Sequence, residues 1–381
     1  MFRFIHSSDL HIGKRFGNMP EDLRGRLREA RHSAISRLAE QARVHGASTI
    51  LLAGDTFDTE TPTPAMLRQA LAEMSRSAPL RWILLPGNHD SLLADQLWSA
   101  AGSVVPDNVI LATRPEILTI AADVALLPAP CTTRRPGRDL TEWMNNAATP
   151  QGVIRVGLAH GPIQNFSEDS ATSDVIAPDR ANKAGLDYLA LGDWHGPVTI
   201  NERSRYSGAP EPDRFKHDTP GQALVVSIAG PSAMPEIVAV ETASFSWKTA
   251  PLNLLSGDDS AAAFEAMLPP FEAMLPPAHL RRQTLLRIVA SGRKRVSGRT
   301  ALEAAVAAVA PDYAYLELQG DGLATDCESG DLDRIGRSGA LREAAQVLLD
   351  ESTDERRSTV ERDISRQALV RLFSYCEAMG S

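Results

Sequence analysis

Short apolar runs alternate with longer amphipathic stretches over the first 91 residues, a pattern that predicts strand, helix, strand, helix, strand. The predicted strands cover Phe2 to His6, Thr49 to Ala53 and a run that ends at Leu85; the predicted helices run from Leu23 to His45 and from Pro64 to Arg76. This alternation predicts parallel strands joined by crossover helices. In such sheets, ligands bind at the carboxyl ends of the strands.

Later apolar runs predict more strands. They lie at Ile154 to Ala159, Tyr188 to Leu191, Ala223 to Ile228 and Ile237 to Val240, with further short strands between residues 104 and 130. A short helix is predicted near Leu140 to Asn146. The first two thirds of the chain therefore indicate an α/β protein.

Polar side chains follow five of these strands at the point where each strand ends. They are Asp9 and His11, then Asp55, then Asn88, His89 and Asp90, then His160, and lastly Asp193 and His195. Asp, His and Asn supply the oxygen and nitrogen donors that Mn, Fe or Zn accept. A set of seven or eight such donors serves two ions better than one, and Asp55 can bridge both. Two metals roughly 3.5 to 4 Å apart would clamp a phosphoryl group and generate hydroxide near neutral pH.

The stretch Asn88-His89-Asp90 follows Gly87, and by itself it is also compatible with an ordinary polar turn. The other four strand ends favour the metal centre over that alternative. At a strand tip, rigid pairing holds the backbone while the side chains project beyond the sheet.

In this order the motifs Asp9-x-His11, Gly54-Asp55, Gly87-Asn88-His89-Asp90, His160 and Gly192-x-x-His195 resemble the calcineurin-like metallophosphoesterases. A finer match resembles the DNA-repair exonuclease branch of that family. It is carried by the stretches 6–13, 158–162 and 206–211. The resemblance covers about residues 1 to 245.

The resemblance implies that Asp9, His11, Asp55 and His195 hold one metal, and that Asp55, Asn88, His160 and the residue at position 193 hold the other. It further implies that His89 is the catalytic histidine, which contacts the scissile phosphate or protonates the leaving oxygen. We expect Asp90 to orient the His89 ring. The family usually has His where this chain has Asp193. Asp193 either alters the second metal site or ligates normally.

The family also implies a fold of two mixed sheets in a sandwich flanked by helices. Its cofactors would be two divalent ions, with Mn as the first expectation and Mg, Fe or Zn as alternatives. The expected partners are DNA, an SMC-type ABC ATPase subunit and a second copy of the chain in a homodimer.

The net charge of −9 is distributed unevenly, because residues 303 to 381 hold 16 acidic and 8 basic side chains against 48 and 39 in the whole chain. The catalytic part is therefore nearly neutral, so tight DNA binding requires local basic patches or a partner.

Three scattered cysteines favour neither a disulfide framework nor a zinc ribbon. With no signal peptide and no apolar run near the ~20 residues of a membrane span, we expect a cytoplasmic protein without membrane contact.

Three domains are predicted: a catalytic domain at residues 1–250, a small α/β capping or DNA-contacting domain at 251–335, and C-terminal helices at 336–381. Residues 273 to 302 contain seven basic side chains and no Asp or Glu. Among them Arg293, Lys294 and Arg295 are candidate DNA contacts, and a solvated basic face is the alternative. The C-terminal helices, Leu341 to Leu349 and Thr359 to Met379, either pack on their own domain or dock on a partner.

Three functions remain open at this point. The first is a two-metal DNA nuclease that works with an ATPase. The second is a phosphodiesterase or phosphatase for a nucleotide or other small substrate, because metal motifs do not encode substrate size. The third is a structural subunit with an impaired metal site that ties an ATPase to DNA.

Overall fold

The structure is a computed structural model that describes residues 1–163, 175–254, 268–326 and 339–380. It consists of two compact units, Met1–Trp247 and Lys248–Ser381. The domain boundary expected between residues 335 and 336 lies outside the described residues. Among the helices that are described, none is both long and apolar enough to cross a membrane.

The first unit is built mainly of short strands. In chain order they are β1 (Phe2–Ser7), β2 (Thr49–Leu52), β3 (Arg81–Leu84), β4 (Val109–Leu111), β5 (Leu118–Ala121), β6 (Val124–Ala129), β7 (Ile154–His160), β8 (Tyr188–Gly192), β9 (Val198–Thr199), β10 (Ser204–Tyr206), β11 (Gln222–Ile228) and β12 (Glu236–Glu241). Its helices are α1 (Glu21–Val44), α2 (Pro64–Ser75), α3 (Asp95–Val104) and α4 (Arg180–Lys183), with a 3-10 turn at Glu142–Asn146.

These strands form two six-stranded mixed sheets. The first has the order β12-β11-β1-β2-β3-β4 and the second has the order β5-β6-β7-β8-β10-β9. In the first sheet, β1 to β4 are parallel and β11 pairs antiparallel with β1. In the second, β6, β7, β8 and β10 are parallel. The predicted α/β fold with two mixed sheets is confirmed.

One apolar core lies between the two sheets, and others cover their outer faces. Phe4 of β1 packs in the inner core with Leu158 of β7, whereas the next residue, Ile5, packs in an outer core with Leu38 of α1. Successive side chains of a strand point to opposite faces, so a strand buried on both faces is apolar at consecutive positions. This burial explains why apolar residues stand at consecutive positions in many of the strands.

Helix α3 was not predicted, and the helix expected near Leu140 is only a 3-10 turn. Helix α3 has ten residues and buries Leu97, Trp98 and Ala101. The indole nitrogen of Trp98 also donates to the carbonyl oxygen of Asp90 at 2.8 Å. A helix this short depends on tertiary packing of this kind rather than on its own sequence.

The second unit contains a three-stranded sheet and helices. Its elements are β13 (Ser246–Leu254, which begins in the first unit), α5 (Ala278–Arg281), β14 (Thr284–Arg295), α6 (Val296–Val309), a 3-10 turn (Ala310–Asp312), β15 (Tyr315–Asp326), α7 (Ala340–Thr353) and α8 (Thr359–Gly380). The sheet order is β13-β14-β15, and β14 and β15 are parallel. Leu302 of α6 packs with Ile288 of β14 in a core of their own.

Candidate metal centre

All seven predicted ligands lie at the carboxyl ends of strands in the first unit. Asp9 and His11 follow β1, Asp55 follows β2, Asn88 follows β3, His160 ends β7, and Asp193 and His195 follow β8. Because β1, β2 and β3 are parallel, as are β7 and β8, each set of strand ends meets at one edge of its sheet. The structure brings the seven side chains together.

The backbone at these positions is unusual. Asp9, His11, Asp55 and Asp193 all have positive φ, at 57°, 44°, 53° and 105°. Non-glycine residues rarely adopt this conformation, and it is held here by the surrounding structure. The amide of Asp9 donates to the carbonyl oxygen of Gly54 at 3.1 Å, and the amide of His11 to that of Asp55 at 2.9 Å. The loops after β1 and β2 are therefore paired into one rigid support.

Two glycines allow the loops to approach one another. A Cβ at Gly54 would lie 2.3 Å from Nδ1 of His160, and a Cβ at Gly87 would lie 2.2 Å from Oδ1 of Asp55. Both contacts are far inside van der Waals distance. The two positions therefore require glycine for the donor side chains to converge.

Asp9, His11 and His195 form the first half of the centre. The Nε2 atoms of His11 and His195 lie 3.2 Å apart. Oδ1 of Asp9 lies 3.8 Å from Nε2 of His11 and 3.9 Å from Nε2 of His195. Three donor atoms of two chemical types thus face one small volume, as a transition-metal ion requires.

Asn88, His160 and Asp193 form the second half. Nε2 of His160 lies 3.7 Å from Oδ1 of Asp193, and the side-chain amide of Asn88 donates to the same oxygen at 2.9 Å. Asp193 therefore faces the other donors of this half. Burial raises the pKa of its carboxyl group, with Asp9 and Asp55 adding to the effect.

Asp55 lies between the two halves. Its Oδ2 is 3.6 Å from Nε2 of His11 and 3.5 Å from Nε2 of His160. Burial alone would raise the pKa of Asp55, but the nearby rings of His160 and His11 outweigh it and hold that pKa well below the usual range. Its position is the one that a bridging carboxylate would occupy.

Three ligand atoms that face into the centre are buried without a hydrogen-bond partner among the described residues: Oδ1 of Asp9, Oδ1 of Asn88 and Nε2 of His160. Buried polar atoms are otherwise nearly always paired, because an unmet donor or acceptor costs free energy. Each of these atoms is of a type that binds divalent cations. The residues present therefore fit two metal ions that share Asp55.

Two carboxylates that the sequence analysis did not assign contact Nδ1 of the two histidines in the first half, on the side of each ring that faces away from the centre. Oδ1 of Asp58 lies 3.2 Å from Nδ1 of His11, and Oδ1 of Asp213 lies 3.0 Å from Nδ1 of His195. Contacts of this kind direct the opposite nitrogen toward a metal and make the ring a stronger ligand. Asp213 is buried, which would raise its pKa, but its hydrogen bonds with His195 and Arg214 and the nearby charge of Arg31 hold that pKa well below its usual range.

The second half is supported differently. Nδ1 of His160 donates to the carbonyl oxygen of Ala53 at 2.8 Å, which places the ring's other nitrogen toward Asp55 and Asp193. A carbonyl oxygen accepts only, so this contact selects the tautomer without adding a negative charge.

His89 lies beside the first half. Its amide donates to Oδ1 of Asp55 at 2.9 Å, and its ring Nδ1 lies 3.0 Å from the carbonyl oxygen of Asp58. The ring packs edge-on against His11 with centroids 4.8 Å apart. Because Nδ1 is engaged with a carbonyl oxygen, Nε2 is the nitrogen that remains for a substrate.

The role expected for Asp90 is corrected by the structure. Its two carboxylate oxygens accept the amides of Gly87 at 2.7 Å and Phe57 at 3.0 Å, while the ring of His89 is held by the Asp58 carbonyl. Asp90 therefore fixes the turn that carries Asn88 and does not orient the His89 ring. Burial and the nearby Asp55 raise the pKa of Asp90 to about 7.

Sequence reasoning also missed Arg31, which is buried within α1. Its guanidinium donates to the carbonyl oxygens of Leu10 at 2.8 Å, Asp9 at 3.0 Å and Glu211 at 2.7 Å. It therefore ties the loop after β1 to the loop after β10. An arginine on the apolar face of a predicted helix was the available signal, since arginine is seldom fully buried without partners.

The candidate DNA contacts are in the second unit. Arg293, Lys294 and Arg295 are the last three residues of β14, and they pair in parallel with Ala324, Thr325 and Asp326 of β15. Arg293 is exposed, and Lys294 and Arg295 are partly buried.

A protein-family model described as calcineurin-like phosphoesterase matches residues 2–226, more than half of the chain. The chain is also similar to the uncharacterized metallophosphoesterase YhaO of Bacillus subtilis (strain 168), with 25% identity over 201 residues that cover 50% of this chain and 48% of that protein. It is 32% identical to the SbcD subunit of the nuclease SbcCD from Escherichia coli (strain K12) over 94 residues, which cover 24% of this chain and 22% of that protein. The chain thus spans less than half the length of each of these relatives.

Solved structures to which the chain is similar include TT1561 of Thermus thermophilus and the purple acid phosphatase PPD1 from yellow lupin seeds. The first has a TM-score of 0.39 and 10% identity, and the match covers 62% of this chain and 98% of that one. The second has a TM-score of 0.41 and 11% identity, and the match covers 63% of this chain and 51% of that one.

Proposed function

Because the chain belongs to the calcineurin-like phosphoesterase family, whose members are metal-dependent phosphoester hydrolases, we propose that it is a two-metal nuclease that hydrolyses phosphodiester bonds in DNA. The observation that carries the proposal is the pair of donor groups on either side of Asp55, with unpaired oxygen and nitrogen atoms facing inward. The local similarity to a component of the SbcCD nuclease supports DNA as the substrate.

Asp9, His11, Asp55 and His195 would hold one ion, and Asp55, Asn88, His160 and Asp193 the other. When bound, two such ions, with Mn as our first choice, supply a strong positive field for a phosphoryl group and a hydroxide nucleophile near neutral pH. The chain's own contribution is rigidity. The paired loops after β1 and β2 hold the donors in place, so little reorganisation is needed when a substrate binds.

His89 would act on the substrate directly. The Asp58 carbonyl accepts from Nδ1, so Nε2 is directed away from that contact. In the imidazolium form of the ring, Nε2–H would donate a proton to the leaving oxygen or a hydrogen bond to the phosphate. The partly buried position of the ring next to His11 keeps it at the edge of the centre, where a scissile bond would lie.

The deciding experiment is a hydrolysis assay with Mn, Mg, Zn and no metal on single-stranded DNA, linear duplex DNA and bis(4-nitrophenyl) phosphate. We expect metal-dependent cleavage of DNA that His89→Asn slows by roughly 100- to 10,000-fold. Cleavage of the small diester alone would establish the alternative of a phosphodiesterase for small substrates, which the near-neutral charge of the catalytic part favours. No cleavage of any substrate with any of these metals would favour the structural subunit.

DNA contact by the end of β14 is part of the proposal. Changing Arg293, Lys294 and Arg295 to Glu should weaken DNA binding and flatten its dependence on salt, because fewer phosphates are neutralised. Hydrolysis of the small diester should be unchanged. A triple change of Arg356, Arg357 and Arg362, which are basic residues of the C-terminal helical region, is the matched control. An unaltered salt slope would support the solvated-face alternative.

We further propose that the protein works as a homodimer with an SMC-type ATPase docked on α7 and α8. Leu369 and Ala345 pack between these helices, whereas Val347, Val360 and Ile364 are 55%, 68% and 61% exposed. Exposed apolar side chains on one helical pair are typical of an interaction surface. Val360→Glu with Ile364→Glu should abolish co-purification with such an ATPase and leave small-diester hydrolysis intact. Retained co-purification would reject this surface.

A further inference from the structure

An arginine outside the predicted ligand set lies at the edge of the metal centre. Arg214 follows the buried Asp213, and its Nε and Nη2 lie 2.9 Å and 3.4 Å from the two oxygens of that carboxylate. A guanidinium held by two contacts to a buried carboxylate has a fixed orientation, so little side-chain entropy remains to be lost when it binds a ligand.

This orientation brings Arg214 against a metal ligand. Its Nη2 lies 3.2 Å from Nδ1 and 3.3 Å from Nε2 of His195. Nε2 is the atom that faces His11 and Asp9 in the first half of the centre. The Arg214 side chain is 47% exposed, and a surface pocket lined in part by His195, Arg214 and His217 opens beside it. A ligand from solvent can therefore reach the guanidinium where it lies beside His195.

Arg214 is not needed to neutralise the negative charge of Asp213. Nζ of Lys14 already lies 2.8 Å from Oδ2 of Asp213, and Arg31 is close enough to lower the pKa of the same carboxyl group. A second fixed cation there would repel a divalent ion bound by His195 unless an anion lay between them. A phosphate group on the two ions is such an anion.

We propose that Arg214 is a catalytic residue that binds a non-bridging oxygen of the substrate phosphate at the first half of the centre. The inference rests on the proposed function, since it assumes a phosphoester at this site. Arg214 would donate from the guanidinium face turned away from Asp213, in the forked geometry that suits phosphate oxygens. It would thereby stabilise the charge that accumulates on the phosphoryl oxygens as the leaving group departs.

The test compares Arg214→Gln, Arg214→Lys and a matched control, Arg76→Gln. Arg76 also pairs with a carboxylate, Glu73 at 2.8 Å, but it lies at the end of α2 near the start of β3, at the opposite end of the strand from the centre. Binding of inorganic phosphate to the Mn-loaded proteins is measured by calorimetry, together with metal content and the kcat/KM for bis(4-nitrophenyl) phosphate.

Arg214→Gln should weaken phosphate binding and lower kcat/KM, each by about 10- to 100-fold, the loss expected for a hydrogen bond to a charged group. Two metals should remain bound. Arg214→Lys should recover part of the loss because it restores the charge without the fork, and Arg76→Gln should match the wild type.

Wild-type phosphate affinity in Arg214→Gln would overturn the inference, as would loss of a metal from that variant, which would make Arg214 a support for His195. Failure of the proposed function is distinguishable. If the wild type hydrolyses no phosphoester but Arg214→Gln still weakens phosphate binding, the anion site stands and the nuclease proposal falls.

Discussion

The two halves of the metal centre both lie at the ends of strands but are supported in different ways. In the first half, His11 and His195 each have a carboxylate behind the ring, Asp58 and Asp213. In the second half, the partner of His160 Nδ1 among the described residues is the neutral carbonyl oxygen of Ala53. Negative charge behind an imidazole makes it a better donor to a cation. We therefore expect the first half to bind a metal ion more tightly.

The ligands themselves also distinguish the two halves. The second half contains the carboxylate of Asp193 at the position where the resemblance implies a neutral histidine, so negative charge lies on a ligand of this half. An anionic oxygen favours harder ions such as Mn or Mg over Zn. The two halves are therefore expected to differ in metal preference as well as affinity.

The largest effect should come from removing the residue that the halves share. Asp55→Ala should abolish hydrolysis and sharply reduce the binding of both ions, because its Oδ2 lies at similar distances from His11 and His160. Elemental analysis and calorimetry measure the metal content. Two ions still bound in the variant would show that the halves are independent and that Asp55 is no bridge.

The next largest effect should come from a variant that loses catalytic rate but keeps both metal ions. His89→Asn should slow turnover by roughly 100- to 10,000-fold, the range for losing a general acid, while both ions stay bound. Single-turnover rates and metal content decide this. A missing ion would instead make His89 a ligand, a role that its position beside His11 and Asp58 also allows.

Changing the carboxylate that contacts one histidine ligand should affect metal binding in only one half of the centre. Asp213→Asn keeps the side-chain volume and removes the charge, so it should weaken binding of one ion by about 10- to 100-fold and leave the other ion unaffected. Asp187→Asn is the control, since Asp187 is also a buried carboxylate and accepts the amides of Arg155 and Ser232 at the far end of β8. Equal weakening of both ions would contradict the assignment of Asp213 to the first half.

The smallest effect concerns Asp193. In Asp193→His we expect tighter binding of the second ion, because the longer imidazole would reach it without an intervening water, and a shift of preference toward Zn. The rate with Mn should be several-fold higher, because a neutral ligand leaves more positive charge to polarise the phosphate. Metal titrations and rates for both proteins provide the measurement. If they are indistinguishable, Asp193 ligates normally and the substitution is silent.

The sequence by itself determined the strand ends and the donors they carry. A strand buried on both faces is mostly apolar, so its end is visible where polar residues resume, and Asp55 and His160 were found in this way. The long helices α1 and α2 were equally predictable from the sequence, since their apolar residues repeat at helical spacing over several turns. Helix α3 was not, because ten residues carry too little of that repeat.

Only the tertiary structure decided which groups contact the ligand side chains on the side away from the metal centre. Asp213 is 18 residues from His195, Asp58 is 47 from His11, and nothing in their local sequence marks them as partners. Asp90 shows the converse, since its place next to His89 in the chain suggested a contact that the turn geometry does not make. A hydrogen bond depends on distance and direction in space. Chain neighbours at a sharp turn diverge, whereas residues far apart in the sequence meet where parallel strands end together.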